Sequence, residues 1–554
     1  MMMEVVGDVL LPYMLAKIIN QGIAERNVVY IIKIGVIMGF IAVIMAVGGV
    51  LGAWFASKAA MNFGADLRMD LFEKIQQFSF QNIDNFSTGS LITRLTNDIT
   101  QIQNMIMMTL RMCLRSPGIL IGAMVMAFVI SPKLAAIFII VLPVLAVLIV
   151  VIMRRAFPQF RTLQGKLDAL NSCIQEGLVG IRLIKSFVRG DYEEMRFEKR
   201  NQQLKEANLT AMKTMLLYTP LMTLALNITT VVVVWSGGNM IVAGNMQVGD
   251  LTAFTNYIVQ IMSSLTMLSI AFLNWARAIA SFRRVGEVLD EKIDLTDENA
   301  KHKDRAVCEG SVEFQNVSFR YYKNSPEWVI ENISFKLEAG KTLGIIGPTG
   351  SGKSTLVSMI PRLYDTDEGT VLVDGINVRD YGLKPLREGI GMVLQNNTLF
   401  SGSIIENLKW GDEHADEKAV RKAAQNAQAA GFIDSFKDGY RTRLEQSGNN
   451  VSGGQKQRLC IARALLKCPK ILILDDSTSA VDTATERAIR EALHSEYKDM
   501  TKIIIAQRIR SVMDADEILV LDNGKTAGFG THEQLLADCP VYREIYDVQN
   551  GREE

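Results

Sequence analysis

Four stretches of this chain, residues 34–56, 134–153, 214–249 and 251–276, contain no charged residue. A bilayer core about 30 Å thick takes about 20 apolar residues in a helix, and each stretch is that long. In lipid, a helix is one of two structures that satisfy every backbone N–H and C=O. A fifth run, residues 116–131, is shorter, but its helical pattern extends back through MIMMTLRMCL. A sixth, residues 3–23, is interrupted by Glu4, Asp8 and Lys17. One such run is compatible with a buried helix of a water-soluble core. Five or six within the first 280 residues, with almost none afterwards, predict a six-span helical transmembrane domain.

The segments between the runs set the topology. Residues 57–111 and 154–213 are long and rich in Lys and Arg. The short connections near 25–27, 131–133 and 236–250 add only Arg26 and Lys133, with Lys33 beside the first. The positive-inside rule therefore places both long segments in the cytoplasm. They read as helical extensions of the spans, and about twenty residues per arm would reach roughly 30 Å below the membrane. Each is broken in mid-course, at NIDNFSTGSL (82–91) and at QEGLVGIRLI (175–184). A break of this kind is a plain turn or a short transverse helix; its recurrence in both segments favours the helix. The opening MMMEVVGDVL has no basic head, so it is not a secretory signal. It reads as a first span that lacks its beginning.

The 554 residues carry 59 basic and 59 acidic side chains, so charge implies no nucleic acid or other polyanion as partner. Six scattered cysteines without a CxxC suit a reducing compartment and predict neither zinc nor a disulfide framework. A charged linker, residues 287–309, separates the transmembrane domain (1–286) from a soluble α/β domain (310–554).

That second domain opens with SVEFQNVSF, which alternates as a strand does. TLGIIG is a buried strand running into GPTGSGKST, residues 347–355, and LVSMIPRLY follows as a helix. Strand, GxxxxGK[ST] and helix in this order form a phosphate-binding loop. Backbone N–H groups of Gly347, Pro348's successors Thr349, Gly350, Ser351 and Gly352, and of Thr355 at the helix start, can face phosphate oxygens. Lys353 is expected at the β/γ-phosphates and Ser354 at Mg²⁺. A second apolar strand, ILIL, ends at Asp475, an acid placed for a further Mg²⁺ contact.

With these motifs in order, the chain resembles a half-transporter of the ATP-binding-cassette (ABC) exporter family, of the multidrug and lipid exporter type. The resemblance covers essentially the whole chain. It implies that Tyr321, in VSFRY, stacks on adenine of ATP. It implies that Gln395, in MVLQNNTLFSGSI, contacts Mg²⁺ and faces the membrane domain. Ser452, Gly453, Gly454 and Gln455, in VSGGQ, match the family's signature motif, which completes the ATP site of an opposing subunit. SAVD (479–482) matches the D-loop, and STGSL (87–91) and GIRLIKSF (180–187) match the surroundings of the two coupling helices.

The departures from the family pattern are informative. Asp476 stands where hydrolysing members carry a Glu that polarises water. Its carboxylate is one methylene shorter, and misplacement by about 1 Å can cost on the order of 10²-fold in rate. Gln507, in KIIIAQRI, stands where the family has its switch His. A neutral amide cannot carry positive charge toward a developing γ-phosphate. In TRLEQSG (442–448), Gln446 replaces another usual Glu. The resemblance thus points to a degenerate-site subunit of a bacterial heterodimeric exporter. The expected partner is a second half-transporter with intact Glu and His, completed by this chain's signature. The expected location is the bacterial plasma membrane, with the nucleotide-binding domain in the cytoplasm.

The cargo is less legible. Asn227, Thr229, Thr230, Asn256, Gln260 and Asn274 lie within spans, among many methionines. Such residues serve helix packing as well as cargo. With no charge at a span centre outside the first run, amphipathic small molecules or lipids are the expected cargo. An ATP-gated, channel-like or regulatory role on the same scaffold is the alternative. Export is favoured because no regulatory insertion separates or follows the domains.

Overall fold

A computed structural model describes residues 1–323, 325–549 and 551, with the side chains of 272–274, 276 and 277 left out, so Asn274 lies outside the described side chains. The chain divides into two compact units. One comprises Met1–Ile75 and Gly89–Asp290, the other Gln76–Thr88 and everything from Glu291 onward.

The first unit is helical. Its helices are α1 (Met2–Lys17), α2 (Val28–Gln76), α4 (Thr88–Ile130), α5 (Pro132–Val179), α6 (Ile181–Ser186), α7 (Gly190–Val242) and α8 (Val248–Leu289), while α3 (Phe80–Asp84) belongs to the second unit. Among the described residues, five helices are long and apolar enough to cross a membrane: α2, α4, α5, α7 and the Val248–Ala271 part of α8. The sixth expected span, α1 with its π-turn to Ile23, is helical but falls short of that measure. Its charges are nevertheless satisfied. Asp8 pairs with Arg115 at 3.0 Å, and Lys17 lies 4.8 Å over the Tyr13 ring. Gly118 and Gly122 of α4 present bare backbone to α1; a Cβ on Gly122 would come within 2.7 Å of Val9. Close approach over small residues is how helices associate in lipid. The tight α4–α5 turn is fixed by Ser131, which caps α5 ahead of Pro132. The inner core joins Ala123, Ala127, Phe138, Leu145, Phe254, Tyr257 and Ile261, while Val36, Phe40, Val43, Val47 and Val50 of α2 face outward.

Further along α4, a π-turn at Arg94–Asp98 turns two charges toward α8. Asp98, 2 % exposed, accepts from Arg284 Nε and Ser281 Oγ at 2.8 Å each, and Arg94 pairs with Glu287 at 2.9 Å. Removing one partner of such a pair leaves the other charge uncompensated. Asp98→Asn is therefore expected to lower stability by about 2–3 kcal/mol, less than the fully buried limit because Arg284 reaches solvent. Thermal unfolding in detergent would read the loss; an unchanged midpoint would mean the pair contributes nothing.

The breaks in both long cytoplasmic segments contain short helices, α3 and α6. In α3, Asn82 donates to Glu291 and to the Lys292 carbonyl (3.2 and 2.9 Å), and Asp84 accepts from Tyr364 at 2.9 Å. Around α6, Leu178, Val179, Leu183, Phe187 and Val188 are all exposed.

The rest of the second unit is α/β. Strands β1 (Val312–Phe319), β2 (Ile330–Leu337), β4 (Glu368–Val373) and β5 (Ile376–Asn377) form an antiparallel sheet in the order β2-β1-β4-β5. Strands β3 (Thr342–Ile346), β6 (Ile390–Val393), β9 (Ile471–Asp475), β10 (Thr501–Ile505), β11 (Glu517–Asp522) and β12 (Lys525–Gly530) form a six-stranded sheet, ordered β12-β11-β3-β10-β9-β6. A two-stranded ladder of β7 (Gly402–Ser403) and β8 (Arg443–Leu444) completes the strands. Within the larger sheet, all neighbours but β11 and β12 run parallel. Ile and Leu, nearly all buried, dominate β3, β9 and β10, as a sheet covered on both faces requires. Helices α9 (Lys353–Ser358), α10 (Gly453–Leu466) and α11 (Thr483–Glu496) matter for the site.

Candidate nucleotide site

Open parallel sheets bind ligands beyond the carboxyl ends of their strands. Here β3 ends at Ile346 and runs into the 347–355 loop, β9 ends at Asp475, β10 leads to Gln507 and β6 leads to Gln395. The register pairs Ile505 with Asp475, so the residues just beyond both strands become neighbours. The outcome is a cleft of about 310 Å³ whose lining includes Tyr321, the loop from Thr349 to Thr355 except the buried Ser351, Gln395, Asp475, Asp476 and Gln507. Its volume lies at the lower end of the range of small-molecule sites.

The loop ends in Gly352, whose φ of 89° suits a residue without Cβ; a Cβ there would also meet the Val329 carbonyl at 2.9 Å. Lys353 folds back on this loop, donating to the carbonyls of Gly347 (2.9 Å) and Pro348 (2.7 Å) and to Ser351 Oγ (3.3 Å). Burial pulls its pKa down, and the charges of Asp475 and Asp476 oppose that. Tyr321 donates or accepts at Thr355 Oγ1 over 2.8 Å, with its ring edge-on to Phe319 and Tyr364.

Ser354 Oγ donates to Asp475 Oδ1 at 3.0 Å. Burial raises the Asp475 pKa, the Ser354 hydrogen bond opposes the rise, and the Asp476 charge adds to it. Asp476 takes the left-handed conformation, φ 46°, with its amide donating to the Ile505 carbonyl. Its Oδ2 accepts from Gln507 Nε2 at 3.0 Å. Burial raises the Asp476 pKa too, opposed by that hydrogen bond and by Lys353 and Arg508.

The signature residues stand apart: none of Ser452, Gly453, Gly454 or Gln455 lines this cleft. Ser452 and Gln455 form a reciprocal capping box that opens the 14-residue α10. An anion is favoured at such a helix start.

Two residues escaped the sequence reading. Gln457 of α10 donates to Ser479 Oγ and accepts from the Ala480 amide, tying the signature helix to the D-loop. Gln549 donates to the Gln507 carbonyl at 2.8 Å and accepts from the Ile509 amide, buttressing Gln507 from the C-terminal helix. Gln457 could have been noticed as a polar position on an otherwise buried helix face. Gln549 carries no sequence signal, because its role depends on a contact across 42 residues.

Known proteins resemble this chain along most of its length. The family model for the ABC transporter transmembrane region matches residues 2–265, and that for the ABC transporter domain matches 330–479. The "Uncharacterized ABC transporter ATP-binding protein YfiB" of Bacillus subtilis is 40% identical over 553 residues, covering 100% of this chain and 96% of its own length. The "Putative multidrug export ATP-binding/permease protein YgaD" of the same organism is 35% identical, covering 90% of this chain and 85% of its own. Among solved structures, a bacterial Atm1-family ABC exporter with ATP bound superposes with a TM-score of 0.83 at 25% identity, covering 99% of this chain and 96% of that one.

Proposed function

This chain belongs to the ABC transporter family, as a membrane-spanning exporter with a cytoplasmic ATP-binding domain, and from that premise we propose that it is the degenerate-site half of a heterodimer. Its partner is a second half-transporter bearing the catalytic Glu and switch His. The cargo is an amphipathic small molecule or lipid moved out of the cytoplasm or inner leaflet. The observation that carries this reading is the Asp476–Gln507 hydrogen bond of 3.0 Å. The short carboxylate, which would have to accept a proton from water, is occupied by an amide that cannot itself accept charge.

In this reading Lys353 and the loop amides bind the phosphates, and the Tyr321 ring packs on adenine. The Ser354 hydroxyl and Asp475 carboxylate, 3.0 Å apart, are hard oxygens that suit Mg²⁺. Gln395, exposed and lining the cleft, would sense that ion. When bound, Mg²⁺ neutralises phosphate charge; with Asp476 held by Gln507, water activation is slow and ATP lingers. Through α3, tied to Tyr364 and Lys292, closure of the cassettes reaches the helices. The exposed apolar residues around α6 supply the corresponding surface for the partner's cassette. The signature, open at α10, completes the partner's site.

Acid should weaken Mg²⁺-dependent nucleotide binding. The metal needs ionised Asp475, and a raised pKa means that protonation begins above the usual Asp range as pH falls. Binding of a fluorescent ATP analogue, with and without Mg²⁺, would show affinity lost on acidification only when Mg²⁺ is present; Asp475→Asn should flatten that profile.

The assembly is tested with purified protein. This chain alone should bind ATP and turn it over slowly. Co-expressed with its partner in sealed vesicles, it should support cargo accumulation against a gradient that vanishes when the partner's catalytic Glu is replaced. Rapid hydrolysis by this chain alone would sink the heterodimer reading, and passive ATP-gated flux would sink export.

A further inference from the structure

A second cavity lies apart from the nucleotide cleft. It is a groove of about 640 Å³ in the second unit, between α11 and the segment after Gln507. Its floor is the face of β10 that carries Lys502 and Ile504, beside Leu493 of α11. Its rim carries Arg487 and Arg490 from one side and Arg510 from the other. Two lining carboxylates answer these cations: Glu491 pairs with Arg487 at 2.9 Å, and Asp514 lies 3.4 Å from Arg490.

Lys502 is the unusual member. It is 5 % exposed, in a strand whose other residues are Thr and Ile. Its ammonium has three donors, and the one acceptor recorded among the described residues is the Met500 carbonyl at 2.9 Å. Among the described residues no ion pair is recorded for it, although Asp499 and Asp516 stand near enough to favour its charge. Burying an ammonium without a counter-charge is costly. An anion seated in the groove would relieve that cost. Apolar walls beside the cations suit a ligand with an apolar body and one anionic end, and the volume is that of a small-molecule site.

We propose that this groove is a second ligand site, distinct from the nucleotide cleft, for an organic phosphate with a flat apolar body. The phosphate sits among Lys502, Arg487 and Arg490, and the apolar body lies on Leu493 and Ile504. Such a ligand ties α11, which follows the D-loop, to the segment that follows Gln507. Both elements flank Asp476 and Gln507, so occupancy would stiffen the site they form.

The probe is pyridoxal 5′-phosphate, an aromatic aldehyde phosphate. It condenses with a neutral lysine amine to an imine with loss of water; borohydride then delivers hydride to the imine carbon and fixes the label as a secondary amine. Burial lowers the Lys502 pKa, which enlarges the neutral fraction. The full chain is treated in detergent with saturating Mg–ATP to shield Lys353, and the modified peptides are mapped by mass spectrometry. The expected result is preferential labelling of Lys502, suppressed by pyridoxine 5′-phosphate but not by pyridoxine. R487Q with R490Q should weaken labelling by about tenfold or more, as loss of charged phosphate contacts does. K502M should abolish that label while ATP binding persists, which separates loss of the site from loss of the fold. Labelling spread over surface lysines with Lys502 spared would overturn the proposal. So would Lys502 labelling indifferent to pyridoxine 5′-phosphate.

Discussion

D476E combined with Q507H is expected to raise ATP turnover at this chain's own site by about 10²-fold or more. The measurement needs a complex whose partner has its catalytic Glu replaced by Gln, so that this site alone reports. The longer Glu side chain would carry the carboxylate out toward the water position. The imidazole would replace an amide that now holds Asp476 Oδ2 at 3.0 Å. Each single change should fall well short. D476E leaves an amide where charge must be stabilised, and Q507H leaves a short carboxylate. A synergy of this kind is typical of groups that act as a unit. Turnover in the unmodified site already equal to the double variant's would refute the degenerate reading.

The second large effect is expected on the other nucleotide. Gly454 approaches the D-loop so closely that a Cβ would stand 2.7 Å from the Ala480 carbonyl oxygen. G454A must therefore shift the start of α10 or the D-loop. Since the signature residues do not line this chain's cleft, nucleotide affinity of the isolated chain should hold. In the proposed heterodimer, ATP turnover should fall on the order of 10²- to 10³-fold, the scale seen when positioned donors are displaced from a transition state. Equal loss of binding in the isolated chain would show instead that the substitution acts through the fold. A heterodimer with undiminished turnover would refute action on the partner.

Much of this was legible before any coordinates. Uncharged runs at 34–56 and 134–153 leave a chain few options but membrane helices, because local composition settles transfer into lipid. The phosphate loop was equally legible, since glycine placement, Lys353 and Ser354 are contiguous. The first span was harder. Glu4 and Asp8 look like defects in sequence, and Arg115, their ion-pair partner, is far along the chain. The breaks at 82–91 and 175–184 were readable as short helices, but their different settings were not. Asp84 meets Tyr364 across 280 residues, while the apolar residues around α6 stay exposed.

Sequence by itself determined which chemical groups are present: an intact phosphate loop, an intact signature, and an Asp and a Gln in place of Glu and His. These are statements about covalent identity, and no fold can change them. Tertiary structure decided what those groups do to one another. Pairing of Ile505 with Asp475 in adjacent parallel strands brings Gln507 and Asp476 into hydrogen-bond contact, and Gln549 fixes the Gln507 backbone from the far end of the chain. The same sheet buries Lys502 beside an open groove. Hydrogen bonds act over about 3 Å, and residues tens to hundreds of positions apart reach that distance only when strand register and helix packing bring them there.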